Sequence, residues 1–361
     1  MMMRQKKFFS LSRARIFAGR LSCEKNFVVE SFINSIGVII FIFLVFVPNV
    51  SAQQITLSLS PPHLELVAKP GKSVLIAYDL QNLADPTIMT ATVLPFIPKD
   101  NLGNIQILSQ FQGPIRFSLD NSDLQLDKPF FMKSHDRTQL LLRIRVPEGA
   151  PNGDYYYTLL ASSQPPTNAS GGSASLARAT IGSNILITVT ESGSVEAKGK
   201  IVLFDLLGGY KIPLLENTKL FDSSSNIPVV LLVQNEGKNF IKPQGRITLK
   251  GSFAETATYD ILGQNILAQS QRLIQATPSA ELNCDNTKSE TACLHPYSLL
   301  LSGFFLGKYN LSTAINFGEG VPNVFAATAF IALPFKFLAG ILLAIIIAII
   351  VIKRFRKTDE D

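Results

Sequence analysis

The stretch VPEGAPNGDYYYTLLASS, residues 146–163, indicates the fold class of the chain. One strand ends at Val146, a turn with two prolines and two glycines follows, and the next strand opens on Tyr155, Tyr156 and Tyr157. Immunoglobulin-like sandwiches use a tyrosine at such a corner to hydrogen-bond back to the turn. The alternative interpretation is an ordinary loop before an aromatic-rich strand. We interpret the stretch as the corner of an immunoglobulin-like sandwich.

Segments on both sides of this corner alternate apolar and polar residues. The pattern occurs in ITLSLS (55–60), SVLIAYDLQ (73–81), TQLLLRIRV (138–146) and NIPVVLLVQN (226–235). An alternation of period two places one face of a strand in a core and the other in water. Turn signals such as KPGK and NLADP separate the segments. The chain is therefore predicted to be all-β, with two immunoglobulin-like β-sandwich domains.

The beginning of the chain resembles a secretion signal. A basic leader precedes the apolar run SIGVIIFIFLVFV at 35–47, and PNVSAQQ follows at 48–54. Val50 and Ala52 then occupy the −3 and −1 positions of a signal-peptidase site, with cleavage between Ala52 and Gln53. An uncut N-terminal anchor is the alternative. We predict a signal peptide over residues 1–52.

The other end carries a predicted membrane span. Residues 333–352, LPFKFLAGILLAIIIAIIVI, are apolar except for Lys336 and reach about 30 Å as a helix. The basic tail at 353–361 predicts that this end is cytoplasmic and that the bulk of the chain is extracytoplasmic. A buried core helix would leave the tail unexplained. The net charge of +6 comes largely from the leader and the tail, so it does not indicate nucleic-acid binding.

Two domains are expected between these ends. The Ser-, Pro- and Gly-rich stretch at 162–180 is either a linker or a long loop. We interpret it as a loop inside a first domain at 53–192, because the strand NILITVT that follows is needed to complete the sheet. The second domain is then predicted at 193–320.

The stretch NEGKNFIKPQGRITL, residues 235–249, joins two strands of the second domain. Asn235, Glu236 and Gly237 are expected to form a turn, in which Asn and Gly tolerate left-handed backbone angles. Phe240 and Ile241 are expected to pack toward the core, and Pro243, which lacks an amide proton, suits a bend.

The second domain resembles that of the WxL-interacting surface proteins of Gram-positive bacteria. The residues that carry the resemblance are Asn235, Gly237, Lys242, Pro243, Gly245, Ile266, Leu267, Ser270, Arg272, Gly307 and Tyr309. The chain departs from that pattern with Lys238 in place of Asn and Ala268 in place of Pro. The resemblance implies that the first domain binds cell-wall peptidoglycan and that the second binds other exported surface proteins.

Few residues indicate a disulfide, a metal site or a catalytic site. Cys284 and Cys293 are predicted to close a small disulfide loop; a free pair or half of a metal site with His295 are the alternatives. The oxygen-rich stretch LDNSDLQLD, residues 119–127, is either a calcium site or a polar turn. The three histidines lie in separate segments, and we find no hydrolase motif or phosphate-binding glycine loop. We therefore predict a chain that is not an enzyme and that uses no cofactor.

The sequence leaves three functions open. The first is a non-enzymatic, membrane-anchored surface protein that binds cell-wall glycan, other exported proteins or both. The second is a pilus-type assembly chaperone, and the third is an accessory subunit of a membrane-bound enzyme or transporter. Four basic residues around one joint protect a sheet edge or bind an anionic wall polymer: Lys238, Lys242, Arg246 and Lys250.

Overall fold

The computed structural model describes residues 56–83, 85–164, 178–211, 218–277, 297–318 and 320–358, with side chains as far as Ile352. The expected cleavage site at Ala52 and Gln53 lies outside these residues, as do Cys284 and Cys293.

The first sandwich consists of two facing sheets. Its strands are β1 (Leu57–Ser60), β2 (His63–Ala68), β3 (Ser73–Asn82), β4 (Thr87–Pro98), β5 (Ile105–Ile107), β6 (Arg116–Leu119), β7 (Pro129–Met132), β8 (Arg137–Arg145), β9 (Gly153–Gln164) and β10 (Thr180–Val189). One sheet has the order β1-β3-β8-β6; the other has the order β2-β10-β9-β4-β5, and β7 also pairs with β4. The predicted alternation is confirmed on β8, where Leu140, Leu142 and Ile144 are fully buried in the core between the sheets.

The second sandwich also consists of two facing sheets with a core between them. Its strands are β11 (Gly199–Leu206), β12 (Tyr210–Lys211), β13 (Thr218–Asp222), β14 (Ile227–Asn235), β15 (Gln244–Gly251), β16 (Thr256–Ile261), β17 (Gln271–Leu273), β18 (Ala276–Thr277), β19 (Leu299–Leu301), β20 (Gly307–Asn316) and β21 (Val324–Leu333). One sheet has the order β11-β14-β17, with β19 also on β14; the other has the order β12-β13-β21-β20-β15-β16-β18. Core residues such as Leu231, Ile247 and Phe330 fill the space between these sheets.

In each sandwich the chain crosses from one sheet to the other near its beginning. In the first, β1 pairs antiparallel with β3, and β2 then pairs in parallel with the last strand, β10. In the second, β11 pairs antiparallel with β14, and β13 then pairs in parallel with the last strand, β21. The predicted pair of immunoglobulin-like β-sandwiches is therefore confirmed.

The second sandwich continues beyond residue 320, where the sequence places its end. Strand β21 pairs with β13 and β20 as far as Leu333, and helix α1 (Phe335–Thr358) begins after Pro334. The apolar strand runs directly into the apolar helix, so composition does not separate them. The helix is long and apolar enough to cross a membrane over Phe335–Ile352, and its side chains there are not buried.

The chain turns after Asn235 as predicted, and neither Asn235 nor Gly237 has a positive φ in this turn. The Asn235 side chain is buried and shapes the turn: its oxygen accepts a hydrogen bond from the Gly237 amide at 2.8 Å. Its nitrogen donates to the carbonyls of Asn239 at 2.8 Å and Ile266 at 3.0 Å. A Cβ at Gly237 would lie 3.0 Å from the carbonyl oxygen of Glu196, which is tighter than an ordinary contact, so glycine favours this close approach.

Candidate functional site at the junction of the two sandwiches

The second sandwich covers part of the outer face of the first. Leu186, Thr188 and Thr158 lie on the sheet that contains β9 and β10 and are buried although they do not belong to the core between the sheets. The loop between β16 and β17, residues 262–270, lies over this face. An isolated sandwich would expose these residues, so their burial depends on the second sandwich.

Asp154, at the start of β9, is the polar centre of this junction. One carboxylate oxygen accepts hydrogen bonds from the Thr188 hydroxyl at 2.7 Å and from the Asn239 side-chain amide at 2.9 Å. The other oxygen accepts from the Tyr156 hydroxyl at 3.0 Å and from the backbone N–H of Phe240. Hydrogen bonds to an ionised acceptor are stronger than neutral ones, so these contacts hold the two sandwiches in one orientation.

The three consecutive tyrosines have different roles. Tyr155 donates to the carbonyl of Pro151 at 3.0 Å, which confirms the predicted corner, while Tyr157 is buried in the core. Tyr156 points to the junction, where its hydroxyl accepts a hydrogen bond from the amide of Ala268 at 2.8 Å. Burial raises the pKa of Tyr156, so the hydroxyl stays protonated and donates to Asp154.

Ala268 differs from the residue that the resemblance to the WxL-interacting proteins implies at this position. The resemblance expects proline at this position, and proline has no N–H group to donate. With alanine, the backbone supplies the hydrogen bond that the buried Tyr156 hydroxyl accepts. Alanine at position 268 is therefore compatible with this junction. Proline would leave the Tyr156 hydroxyl without the backbone N–H group from which it accepts a hydrogen bond.

A second polar group joins the sandwiches at Glu65 on β2. Its carboxylate accepts hydrogen bonds from the Asn265 side-chain amide at 2.5 Å and interacts with His63 at 3.0 Å and with Lys242 at 3.9 Å. Burial raises the pKa of Glu65, but the hydrogen bonds from Asn265 and His63 and the charge of Lys242 outweigh it and hold the pKa below its usual value.

Arg272 closes the other side of the junction. Its guanidinium donates to the carbonyl of Asn265 at 2.7 Å and occupies the space where a Cβ on Gly103 would lie. Next to it, the amide of Leu273 donates to the carbonyl of Asn101 in the first sandwich at 2.6 Å. Arg272 thus fills the junction and packs against the loop between β4 and β5.

A cleft between these groups has a volume of about 100 Å³. Its lining includes His63, Phe96, Leu186 and Arg272. Pockets for organic ligands usually measure about 300–1,000 Å³, and one water occupies about 30 Å³. The cleft therefore has room for a few waters, and the junction mainly serves to fix the two sandwiches to each other.

The predicted fold-motif residues separate into two groups. Asn235, Gly237, Lys242 and Arg272 lie at or beside the junction, whereas Gly307 and Tyr309 lie at the opposite end of the second sandwich, where β21 meets α1. Pro243 is buried directly before β15, and Gly245 lies so close to the backbone of Ala314 on β20 that a Cβ would collide with it. Ile241 joins the core as predicted, but Phe240 lies half-buried at the junction instead.

The basic residues do not protect a sheet edge on β15. This strand lies between β16 and β20, so it is central in its sheet. Arg246 pairs with Asp260 on β16 at 3.0 Å, and Lys242 faces Glu65 across the junction. These two charges therefore interact with carboxylates of the protein itself. The sequence does not predict this, because whether a strand lies at the edge of a sheet depends on its pairing with strands that are distant in the sequence.

Two of the oxygen-bearing residues considered as calcium ligands, Asp120 and Asn121, are engaged by protein groups. Asp120 forms an ion pair with Arg143, and the Asn121 oxygen accepts from the amide of Leu141 at 2.8 Å. In the part of the chain that the structure describes, no group of three or more His, Cys, Asp or Glu side chains could hold a metal ion.

In the first sandwich, strand β10 extends beyond its neighbour β2. The amides of Asn184 and Thr190 donate to carbonyls at either end of β2, so the even-numbered residues of β10 face β2. The pairing with β2 begins at Asn184, and the backbone groups of Thr180 and Gly182 face the same side, where no described strand is hydrogen-bonded to them although β1 lies close to β10. We call Thr180 and Gly182 the open edge.

Neither a protein-family model nor a curated protein matches the chain. Among solved structures, it is similar to the class 5 fimbriae chaperone CfaA, with 10% identity, 76% of this chain and 99% of that chain covered, and a TM-score of 0.36. The E. coli chaperone DraB gives 13% identity, coverage of 76% and 98%, and a TM-score of 0.33. A PapD-like domain of human CEP192 gives 13% identity, coverage of 40% and 92%, and a TM-score of 0.27. At these TM-scores the fold assignment rests on the strand pairing described above.

Proposed function

We propose that the chain is a non-enzymatic, membrane-anchored protein that binds exported polypeptides by adding a strand to the open edge. In such binding, an extended peptide pairs with a sheet edge through main-chain hydrogen bonds. The observation that carries the proposal is that, among the residues the structure describes, no strand is hydrogen-bonded to the side of Thr180 and Gly182 that lies in line with β2. Helix α1 anchors the protein, and the bulk of the chain is extracytoplasmic.

The fixed junction supports this function. A strand partner gains affinity when the edge is held still, because less conformational freedom is lost on binding. The contacts of Asp154 and Tyr156 lie on β9, which is the neighbour of β10 over Thr180 to Val189. The second sandwich therefore supports the sheet that presents the open edge.

The test uses the full chain in lipid nanodiscs, with a photo-crosslinking residue in place of Ile181. The nanodiscs are exposed to exported proteins from the producing cells. Thr180→Pro removes an amide proton from the open edge, whereas the matched control Thr180→Val keeps it. We expect a crosslinked polypeptide with Thr180→Val and its loss with Thr180→Pro; equal yields would refute strand addition at this edge.

A pilus-type assembly chaperone is the second candidate, and the same open edge favours it, since such chaperones also bind their subunits by strand addition. The two functions differ in what happens to the partner. A chaperone binds a subunit that lacks one strand and passes it on to the next subunit. A competing peptide that supplies the missing strand would therefore release the crosslinkable partner from the open edge, and the partner would fold as it is released. A surface-binding protein would retain a partner that is folded before and after binding.

Binding of peptidoglycan by the first domain and membership of the WxL-interacting proteins stay predictions of the resemblance. Purified wall material serves as a second bait in the nanodisc experiment. Sedimentation of the nanodiscs with wall material, unaffected by Thr180→Pro, would assign glycan binding to a different surface from the open edge.

A further inference from the structure

The end of the second sandwich that meets α1 carries a group of exposed apolar side chains. It consists of Leu207, Tyr210, Phe253, Phe304 and Leu306, each between 39% and 68% exposed. We call this set the apolar rim. Aromatic side chains are normally hidden in soluble domains, and contiguous exposed ones mark a binding surface.

The register of the strands places the apolar rim beside the start of the helix. Strand β21 runs toward α1, and Gly307 at the start of β20 pairs with Ala332 near its end. The turn between β15 and β16 carries Phe253 and reaches the same place, because a Cβ on Gly307 would lie 3.5 Å from the Phe253 ring. The Ser252 hydroxyl also donates to the carbonyl of Lys308 at 2.8 Å.

Tyr210 and Phe304 of the apolar rim also lie at the end of the second sandwich where α1 begins. The ring of Tyr210 contacts that of Phe335, the first residue of α1, edge to face with centroids 6.1 Å apart. The amide of Phe305, next to Phe304, donates to the carbonyl of Ser223 at 2.9 Å, and the amide of Ser223 donates to the carbonyl of Leu333 at 3.1 Å.

The helix leaves the sandwich in a fixed direction. The buried carboxylate of Asp222 accepts a hydrogen bond from the amide of Lys336 at 3.1 Å, which satisfies one of the free N–H groups in the first helical turn. The Lys336 ammonium lies 3.7 Å from the same carboxylate. Because one residue separates β21 from α1 and Asp222 holds the first turn, the apolar rim lies on the side of the sandwich from which α1 leaves.

We propose that the apolar rim inserts into the interfacial layer of the lipid bilayer, so that the second sandwich is seated on the membrane. The inference rests on the proposed membrane anchoring by α1 and adds a second contact with the same bilayer. Tyrosine and phenylalanine are suited to this layer, and the exposed Lys250 and Lys308 beside them can contact lipid phosphates. The orientation of the open edge above the membrane is then fixed by both contacts.

The absence of tryptophan from the chain gives a direct test. Single variants Phe253→Trp and Phe304→Trp of the full chain are placed in vesicles whose lipids carry bromine atoms on the upper acyl chain. Phe325→Trp is the matched control, since Phe325 is 72% exposed on β21 but lies about 27 Å from Leu333 at 3.3–3.4 Å per residue. Ile346→Trp, within α1, reports on the span itself through lipids brominated deeper in the chain.

We expect blue-shifted emission and several-fold stronger quenching for Phe253→Trp and Phe304→Trp than for Phe325→Trp, with Ile346→Trp quenched by the deep label. If Ile346→Trp is quenched while the two rim variants behave like Phe325→Trp, the seated arrangement is overturned and the anchor stands. If Ile346→Trp is not quenched, the proposed anchoring fails and the seated arrangement fails with it.

Discussion

The side-chain amide of Asn239 in the second sandwich donates a hydrogen bond to the carboxylate of Asp154 in the first at 2.9 Å. The same carboxylate receives the backbone N–H of Phe240 and the hydroxyls of Tyr156 and Thr188. One acidic residue thus satisfies donors from both sandwiches. The chain uses the corner of the first sandwich, a feature of the fold itself, as the attachment point for the second.

Replacing Asp154 with alanine is expected to uncouple the sandwiches. Four donors lose their acceptor, which we expect to lower the free energy of unfolding by about 2–4 kcal/mol. Denaturant unfolding with probes in each sandwich should show two separate transitions in place of a shared one. Asp123→Ala, at an exposed position of the first sandwich, is the control; a shared and unshifted transition in Asp154→Ala would contradict the proposed role.

Removing the Tyr156 hydroxyl is expected to cost more than removing that of Tyr155. Tyr156→Phe leaves the amide of Ala268 without its acceptor, at a cost of about 1–3 kcal/mol. Tyr155→Phe loses a contact with Pro151 at an exposed corner, at a cost of about 1 kcal/mol. Thermal unfolding of both variants measures the difference, and equal shifts would mean that the junction contact contributes nothing beyond an ordinary corner.

Asn235 should not tolerate replacement by aspartate. Its side-chain nitrogen faces the carbonyls of Asn239 and Ile266, so a carboxylate there would place like partial charges together in a buried site. We expect Asn235→Asp to destabilise the second sandwich by about 3 kcal/mol or more. Asn310→Asp, at an exposed position on β20, should change the unfolding midpoint little. Similar midpoints for the two variants would contradict this role.

The attachment of α1 is expected to weaken in acid. The hydrogen bond from the Ser224 hydroxyl holds the pKa of Asp222 below its usual value of 3.8; burial opposes this shift, and the amide of Lys336 adds to it. Because the folded pKa is depressed, the stabilisation is complete above 3.8 and is lost as the pH falls through the lower folded value.

Hydrogen exchange at the amide of Lys336 reports on this contact. Protection of that amide, followed from neutral pH into acid, should fall in the wild-type chain as Asp222 takes up a proton. Asp222→Asn keeps an acceptor but does not titrate, so its protection should not show this fall. A fall of the same size in both chains would locate the titration at another group.

Much of the fold follows from local patterns. Period-two alternation predicts strands such as β3 and β8, and the corner before Tyr155 predicts the class of sandwich, because both depend on neighbouring residues only. The end of the second sandwich is predicted wrongly, since β21 is as apolar as the helix after it. The role of Lys242 and Arg246 is also missed, because β15 becomes a central strand only when β20 pairs with it.

The sequence by itself determined that the chain folds as β-sandwiches and that it carries an apolar segment long enough to cross a membrane. Both are consequences of hydrophobic periodicity and length along the chain. The tertiary structure alone decided that Asp154 and Tyr156 bind the second sandwich and that Phe253 and Phe304 lie beside the start of α1. It also decided that, in the part of the chain the structure describes, no strand pairs with the outer side of Thr180 and Gly182. These relationships join residues far apart in the chain, and only packing and strand register bring such residues together.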